Sequence, residues 1–274
     1  MASAEDELRK LAADRRRGSW ELLKSVIDVL SAACKSGEYL DADRVSKLVA
    51  AINPAMQALQ ALASAISRSR DVCSTIDRWR SYMTTARRKL VENATHFLKP
   101  SIVTTISRSS AVLDYLLRAK PAKVILLESR PGEESIDVAR SLSSHGIDVE
   151  VVPDSCMARA VERSEAVVIG ADAITIHGEI LNKVGSRPLA MVARCLSRPF
   201  IVLAESLKIS KSSCRELEKL VRWRVATAWG ETSVEVFECV EPKYISYIVT
   251  EASVIKPFKE MIELVANELA ERLG

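Results

Sequence analysis

The feature that most constrains the fold of this chain is a change of sequence pattern at Pro100. Between Ala4 and about Lys99, apolar residues recur three or four positions apart, which is typical of helices with one buried face. Beyond Pro100, short apolar runs alternate with amphipathic stretches. This alternation predicts strand–helix–strand units and a parallel sheet covered on both faces. We therefore expect an α/β protein, with a helical domain over residues 1–99 and a doubly wound domain over residues 100–274.

Turn-forming residues and apolar runs predict where the elements begin and end. In the first part, Gly37 predicts the end of one helix before the start of another, and Asn53-Pro54 predicts a kink or a new first turn. In the second part the predicted strands are Ser101–Thr105, Lys123–Glu128, Asp148–Val152, Ala166–Ile169, Phe200–Ala204 and Val234–Phe237. The predicted helices between them are Ser109–Arg118, Glu133–His145, Ser155–Glu162 and Pro188–Leu196. Folds of this class bind ligands at the carboxyl ends of their strands.

Composition and charge narrow the classes of function. The chain has 274 residues, 48% of them apolar, and a formal net charge of only +3. Because positive and negative charges nearly cancel, the overall electrostatic field of the protein does not favour binding to nucleic acid. No stretch approaches ~18 uninterrupted apolar residues, and the N-terminal segment lacks the apolar core of a signal peptide. We therefore expect a cytoplasmic protein with no membrane span.

Metal and cofactor motifs are absent from the sequence. The six cysteines occur without CxxC spacing, and the three histidines lie far from them along the chain. This pattern disfavours both a zinc site and a disulfide framework. No GxGxxG motif follows the first predicted strand, and no GxxxxGK[ST] motif occurs. The sequence therefore predicts no metal, no cofactor and neither of the standard nucleotide-binding loops.

Polar residues stand directly after four of the predicted strands, where they would converge on one edge of the sheet. They are Glu128, Ser129, Arg130, Asp154, Asp172, Glu205, Ser206 and Lys208. Contact with solvent at a strand end is enough to explain any one of them. Four such strand ends together favour a binding site.

Asp172 and the pair Asn182-Lys183 are the strongest candidates on chemical grounds. Asp172 follows an apolar strand, where burial would raise its pKa and a nearby lysine would lower it. A carboxyl balanced in this way suits proton transfer. Asn182-Lys183 are predicted to open a helix, where an amide, a cation and free N–H groups suit a phosphate or an oxyanion. An ordinary helix cap and a solvated lysine remain the alternative.

Four segments, in order along the chain, carry a resemblance to a known family. They are ESRPGEE (128–134), GADAITIHGEILNKVGS (170–186), RPFIVLAESLKIS (198–210) and VEPKYISYIVTEASVIKP (240–257). Over roughly residues 15–257, the chain resembles the family that joins the regulatory subunits of eukaryotic translation initiation factor 2B to sugar-1-phosphate isomerases. This resemblance implies a helical N-terminal domain, a Rossmann-like C-terminal domain, and a homodimer or higher homo-oligomer.

The isomerases of this family convert an aldose 1-phosphate into a ketose 1-phosphate with an aspartate and a cysteine. By resemblance, the aspartate matches Asp172, whereas Ile106 stands at the position of the cysteine. An isoleucine cannot donate or accept a proton. Cys156 could supply a thiol instead, although a free cysteine is more often a small core residue. The resemblance therefore favours the regulatory branch of the family.

The phosphate-binding residues of these isomerases are only partly retained. Arg17-Gly18 matches one anchor, but Asn53-Pro54-Ala55 replaces an Arg-Pro-Thr. Losing one bidentate contact costs on the order of 1.5–3 kcal/mol, which disfavours tight bisphosphate binding more than sugar-phosphate binding. The expected ligand-binding residues are Arg17, Gly18, Ser107, Arg108, Glu128, Arg130, Asn182, Lys183 and Lys208.

Basic clusters lie along the helical part of the chain. They are Arg15-Arg16-Arg17, Arg68 with Arg70, Arg78 with Arg80, and Arg87-Arg88-Lys89. Solvated helix faces explain most of them, and contact with an acidic protein or with RNA is the alternative.

From the resemblance we expect an initiation factor 2B-like regulatory subunit without catalytic activity. Its expected partners are initiation factor 2 and an effector that is a sugar phosphate or a nucleotide. The alternative is an aldose–ketose isomerase that acts on a sugar 1-phosphate such as ribose 1,5-bisphosphate, with Asp172 as its catalytic residue.

Overall fold

Five helices form the N-terminal part of the chain, as far as the structure describes it. The computed structural model describes residues 3–14 and 17–273. The five helices are α1 (Ala4–Leu11), α2 (Ser19–Ser36), α3 (Ala42–Ile52), α4 (Gln57–Ser67) and α5 (Val72–Phe97). Side chains of Asp41 and Asp71 cap α3 and α5 by accepting N–H groups of the first turn. Gly37 directly follows α2, so the predicted helix end is confirmed, whereas Asn53-Pro54 lies in the turn between α3 and α4 and neither kinks a helix nor begins one.

The rest of the chain alternates strands and helices, which confirms the predicted α/β class. The strands are β1 (Ile102–Thr105), β2 (Lys123–Leu127), β3 (Asp148–Val152), β4 (Ala166–Ile169), β5 (Ala173–Thr175), β6 (Ile180–Lys183), β7 (Phe200–Leu203), β8 (Ile209–Ser210), β9 (Arg222–Thr227), β10 (Gly230–Glu235), β11 (Phe237–Val240), β12 (Tyr247–Val249) and β13 (Val254–Ile255). The helices are α6 (Ser110–Ala119), α7 (Ser135–Ser144), α8 (Met157–Glu162), α9 (Ser186–Cys195), α10 (Cys214–Glu218) and α11 (Lys259–Leu273).

The main sheet has seven strands in the order β13-β12-β7-β4-β1-β2-β3. Six of them run parallel, and β13 pairs antiparallel with β12. The chain builds one half of the sheet from β1 out to β3 and then returns to the other side of β1 with β4. The strand order therefore reverses between β1 and β4. In doubly wound folds, ligands bind in the crevice at the carboxyl ends of such a strand pair.

Two apolar clusters cover the faces of the main sheet, and a third fills the helical part. Along β4, Val167 and Ile169 pack into one cluster, while Ala166 and Val168 pack into the other. This alternation on a strand buried on both faces is what a covered parallel sheet requires. The cluster of helices α1–α5 also includes Leu181 of β6 and other residues of the later chain. The division into domains at residues 99 and 100 stays a prediction.

The segment between β4 and β7 was predicted incorrectly at Asn182-Lys183. These residues do not open a helix, because they end β6 and pair there with Glu238 and Phe237 of β11. The partner strand comes about fifty residues later, so local sequence gave no sign of it. Strands β11-β6-β5-β8 form a second sheet, and α9 begins only after Gly185.

The predicted strand Val234–Phe237 was also wrong, because two elements meet within it. Val234 belongs to β10, which forms an antiparallel hairpin with β9, and Phe237 begins β11. Between them, the carbonyl of Val236 accepts the N–H of Val184 at 2.9 Å, and its side chain is buried. That contact turns the chain from the hairpin into the second sheet.

Two disulfides contradict the sequence-based expectation of none. Cys34 at the end of α2 bonds to Cys73 at the start of α5, and Cys214 of α10 bonds to Cys239 of β11. Their Cα atoms are 5.7 and 5.8 Å apart, within the range that a disulfide spans. Sequence spacing could not predict either pair, because tertiary packing brings the element ends together.

In the described parts of the chain, no helix is both long and apolar enough to cross a bilayer. Nor do residues 3–14 and 17–273 contain a group of three or more His, Cys, Asp or Glu side chains arranged to hold a metal ion.

Candidate ligand-binding site

A cavity of about 310 Å³ opens at the carboxyl ends of β1 and β4, between the helical part and the sheet. It lies where the strand order of the main sheet reverses, as expected for a ligand site of this fold class. Eight of the residues expected from the sequence line it: Arg17, Gly18, Ser107, Arg108, Asp172, Asn182, Lys183 and Lys208. These residues are far apart in sequence, and the topology brings them together.

Glu128 and Arg130 were also expected at the site but do not line the cavity. Both belong to the loop after β2, where Arg130 ion-pairs with Glu133 and lies 3.7 Å from Glu128. The carboxylate of Asp154 accepts the backbone N–H of Arg130 at 2.7 Å. This loop therefore shapes one side of the site without placing these two side chains in it.

The chain after β1 turns sharply to present the start of α6 to the cavity. Ser107 has a φ of +65°, and its N–H donates to Ser129 Oγ at 2.6 Å. Ser109 caps α6, and its hydroxyl accepts the N–H of Val112 at 3.4 Å. Ser107 through Ser110 line the cavity, so the positive end of the α6 dipole faces it. A helix start of this kind suits a phosphate or carboxylate group.

Asp172 follows β4 and is fixed through its backbone. Its N–H donates to the carbonyl of Leu181 at 2.8 Å, and its carbonyl accepts the N–H of Gln57, at the start of α4, at 3.1 Å. Burial raises the pKa of Asp172 to about 6, although the ammonium groups of Lys208 and Lys183 limit the rise. The carboxyl can therefore gain or lose a proton near neutral pH.

Lys183, at the end of β6, is buried beside a second carboxylate. Its Nζ lies 2.9 Å from Glu134 Oε1 and 4.6 Å from the centre of the Trp223 ring. Ser107 Oγ donates to the same Glu134 oxygen at 3.0 Å. The side-chain amide of Asn182 donates a hydrogen bond to the hydroxyl of Ser186 at 2.8 Å. Strand pairing with β11, rather than a helix start, holds both residues.

Lys208 is held by a buried ion network at the back of the cavity. Its Nζ lies 3.3 Å from Glu205 Oε2, and Arg87 Nε donates to Glu205 Oε1 at 2.7 Å. Burial alone would raise the pKa of Glu205, but Arg87 and Lys208 hold it below its ordinary value. Arg87 also donates to Asp114 at 2.8 Å and stacks on the ring of Trp20.

Arg17 and Arg108 lie near the mouth of the cavity, and each pairs with a carboxylate. Arg17 Nε donates to Asp14 at 2.6 Å, and Arg108 donates to Glu21 at 2.7 Å. A Cβ on Gly18 would lie 3.1 Å from the carbonyl oxygen of Arg108, so a side chain there would require this backbone to shift by a few tenths of an ångström.

Ile106, expected by resemblance at the cysteine position, does not line the cavity. It is buried in the core cluster on one face of the sheet. Gly185 packs directly on it, since a Cβ there would lie 2.7 Å from Ile106 Cδ1. Cys156 and Cys195 are exposed, and no cysteine is among the described residues that line the cavity.

The sequence profile of the initiation factor 2 subunit family matches residues 5–257. The chain belongs to this family. It is 30% identical over 271 residues to a translation initiation factor eIF-2B subunit 2-like protein of Pyrococcus horikoshii, with 93% of this chain and 96% of that one covered. Ribose 1,5-bisphosphate isomerase of Archaeoglobus fulgidus is 29% identical over 225 residues, which cover 77% of this chain and 68% of the isomerase. The crystal structure of P. horikoshii translation initiation factor eIF-2B superposes with a TM-score of 0.84 and 26% identity, covering 94% and 98% of the two chains.

Membership of the initiation factor 2 subunit family confirms the resemblance carried by the four sequence segments. Relatives named as initiation factors and relatives named as isomerases match this chain at nearly equal identity. Family membership therefore leaves both a regulatory and an enzymatic role open, and the chemistry of the cavity has to distinguish them.

In this initiation factor 2 family member, the sequence analysis did not single out several residues that line the cavity, among them Trp20, Glu134 and Trp223. Glu134 lies inside the quoted segment ESRPGEE, so its position in that motif was a usable signal. The two tryptophans carry no local signal, because one comes from α2 and the other from the β9–β10 hairpin.

Among the described residues of the basic clusters, Arg87 and Arg88 lie in different environments. Arg15 and Arg16 lie outside the described residues. Arg87 is only 12% exposed and belongs to the ion network behind the cavity. Arg88, by contrast, is exposed and pairs with Glu92 on the same helix at 3.0 Å.

Proposed function

We propose that this chain is an initiation factor 2B-like regulatory protein that binds a phosphorylated sugar in the cavity without isomerising it. One observation carries the proposal: the residue at the family's cysteine position, Ile106, is apolar and buried against Gly185. The cavity keeps cations and a carboxyl, so binding groups are present. Among the described residues that line the cavity there is no thiol that could transfer a proton together with Asp172.

The start of α6 and two buried lysines support phosphate binding. Ser109 and Ser110 bring the positive end of α6 to the cavity, and Lys183 and Lys208 add charge from the opposite side. Hydroxyl groups of a sugar can donate to the carboxylates of Asp172 and Glu134. A nucleotide would use the same phosphate contacts and is the second effector class that the site admits.

Isothermal calorimetry with ribose 5-phosphate tests the binding claim. Lys208→Gln removes a buried cation at the cavity and should weaken binding at least about tenfold, as expected for a charge-assisted contact. Lys211→Gln is the matched control, because Lys211 is exposed and outside the cavity. Equal affinities of the two variants would count against the proposed site.

Initiation factor 2 is the proposed macromolecular partner, and a homodimer or a larger homo-oligomer is the proposed assembly. Family membership and the names of the relatives support the proposed partner, and the resemblance described from the sequence supports the proposed assembly. Affinity capture of purified initiation factor 2 by this chain, with and without ribose 5-phosphate, tests the first. Sedimentation velocity of the purified chain tests the second, and a monomer at micromolar concentration would contradict it.

An aldose–ketose isomerase is the second candidate, favoured by Asp172. Its pKa of about 6 and the two lysines beside it suit a group that moves a proton. If this candidate were correct, purified wild-type protein would convert a sugar 1-phosphate, and Asp172→Asn would abolish conversion. The proposed function instead expects no conversion by either protein.

A further inference from the structure

Glu134 places a negative charge beside Lys183, one of the cations in the cavity that could bind an anionic ligand. Its Oε1 lies 2.9 Å from Lys183 Nζ, and the two side chains are only 15% and 6% exposed. A Cβ on Gly132 would collide with the Glu134 carboxylate and lie 2.9 Å from Lys183 Nζ. The loop after β2 is therefore packed against this ion pair and holds it in the wall of the cavity.

The other cations of the cavity are paired in the same way. Lys208 lies 3.3 Å from Glu205, and Arg108 and Arg17 each donate to a carboxylate at the mouth. One phosphate can bind backbone N–H groups at the start of α6 without breaking any of these pairs. A second phosphate at Lys183 would have to displace Glu134 and leave a buried carboxylate without its partner, which is strongly unfavourable.

Asn53, on the helical side of the cavity, also disfavours the binding of a second phosphate. Asn53 lines the cavity and has no charge to offer a phosphate. Its side-chain oxygen accepts the backbone N–H of Ala55 at 3.1 Å, so it serves the turn between α3 and α4. The helical side of the cavity thus lacks a cation at this position, and the opposite side carries the Lys183–Glu134 pair.

We infer that Glu134 determines the charge of the ligand, so that the cavity selects a sugar monophosphate over a sugar bisphosphate. The inference rests on the proposed phosphate-binding function and adds the class of ligand to it. The hydroxyl groups of the sugar donate to Glu134 and Asp172, while the single phosphate binds at the start of α6. Glu134 acts as a specificity-determining residue because it repels a second anionic group at Lys183.

Calorimetric titrations with ribose 5-phosphate and ribose 1,5-bisphosphate test this inference. Wild-type protein should bind the monophosphate at least about tenfold more tightly than the bisphosphate. Glu134→Gln keeps the size of the side chain and an acceptor for Lys183. It should raise the affinity for the bisphosphate relative to the affinity for the monophosphate by roughly tenfold or more, because the amide no longer repels a second phosphate.

Two further variants separate charge at this position from a general effect of substitution. Glu133→Gln removes the neighbouring carboxylate, which pairs with Arg130 outside the cavity, and should leave both affinities unchanged. Glu134→Asp keeps the charge and should retain the wild-type preference even if the melting temperature falls. A purely structural role of Glu134 would change the melting temperature without changing the ratio of the two affinities.

The outcomes distinguish this inference from the proposed function. If wild-type protein binds ribose 5-phosphate and Glu134→Gln leaves the ratio of affinities unchanged, the inference is overturned and the proposed function stands. Should Glu134→Gln not fold, loss of the preference in folded Glu134→Asp would equally overturn the inference. If wild-type protein binds neither sugar phosphate, both the proposed function and the inference fall.

Discussion

Asp172 illustrates how burial and charge act on one carboxyl group in the cavity. Removal from water favours the protonated form, and the ammonium groups of Lys208 and Lys183 favour the ionised form. Burial is the larger effect, because both lysines are shared with other carboxylates, Glu205 and Glu134. The residue therefore reaches a pKa of about 6 from an ordinary value of 3.8.

This raised pKa predicts how the stability of the protein depends on pH. The unfolded chain loses the Asp172 proton first as pH rises, so the folded state loses stability between about pH 4 and 6. Asp172→Asn cannot ionise and should be more stable than wild type at pH 7 by about 2–3 kcal/mol, with little difference at pH 4. Urea unfolding at several pH values measures this, and a difference independent of pH would contradict it.

At the scale of single elements, the turn between β6 and α9 shapes the wall of the site. Gly185 has a φ of +101° and lies against Ile106, the side chain that follows β1. The turn thus brings the end of β6, with Lys183, close to the start of the loop that leads to α6. A side chain at Gly185 would push the two elements apart.

Gly185→Ala should therefore cost more stability than an ordinary glycine substitution. Gly37→Ala is the control, because Gly37 also has a positive φ, +73°, but nothing lies within 4 Å of a Cβ there. The backbone strain alone costs about 1 kcal/mol, and overpacking against Ile106 should add about 1–3 kcal/mol for Gly185→Ala. Urea unfolding of both variants tests this, and adding Ile106→Val should recover part of the loss in the Gly185 variant only.

At the scale of the whole molecule, Arg87 links the helical part to the sheet. It lies on α5, binds Glu205 after β7 and Asp114 on α6, and stacks on Trp20 of α2 at 4.2 Å. Glu205 is completely buried, so its charge needs these cations. The same network holds Lys208 at the cavity, and through it the packing of the helical part affects the site.

Arg87→Met should destabilise the protein by about 3–5 kcal/mol, because it leaves the buried Glu205 with Lys208 alone at 3.3 Å. The adjacent Arg88→Met is the control: that side chain is 60% exposed, and its pair with Glu92 contributes less than about 1 kcal/mol. Thermal and urea unfolding measure both changes. Similar losses in the two variants would show that the network contributes little.

The sequence predicted the main sheet better than the second one. Runs such as those of β2 and β4 are largely apolar, short and bounded by turns, so local pattern identified them. Strand β6 could not be identified in this way, because Lys183 is held there by pairing with Phe237 far along the chain. Both disulfides escaped for the same reason, since non-local packing alone brings their cysteines together.

In the site, too, residues placed by local pattern were predicted, and residues placed by non-local packing were missed. Asp172 and Lys208 were found because they follow strands of the main sheet, and the fold class places strand ends at one edge. Trp223 was missed because it comes from a hairpin whose position no local pattern reveals. Glu134 was present in a quoted motif, but its role depends on a 2.9 Å contact with Lys183 that only the folded chain shows.

The most direct test of the central claim is a turnover measurement on the purified protein. Methylthioribose 1-phosphate and ribose 1,5-bisphosphate, each at millimolar concentration, are followed by nuclear magnetic resonance for appearance of the ketose. Because the proposed function puts the buried Ile106 where the resemblance expects a thiol, we predict that the sugar monophosphate binds saturably and that neither substrate is converted above the uncatalysed rate. Conversion of either sugar by wild-type protein that disappears in Asp172→Asn would contradict the account.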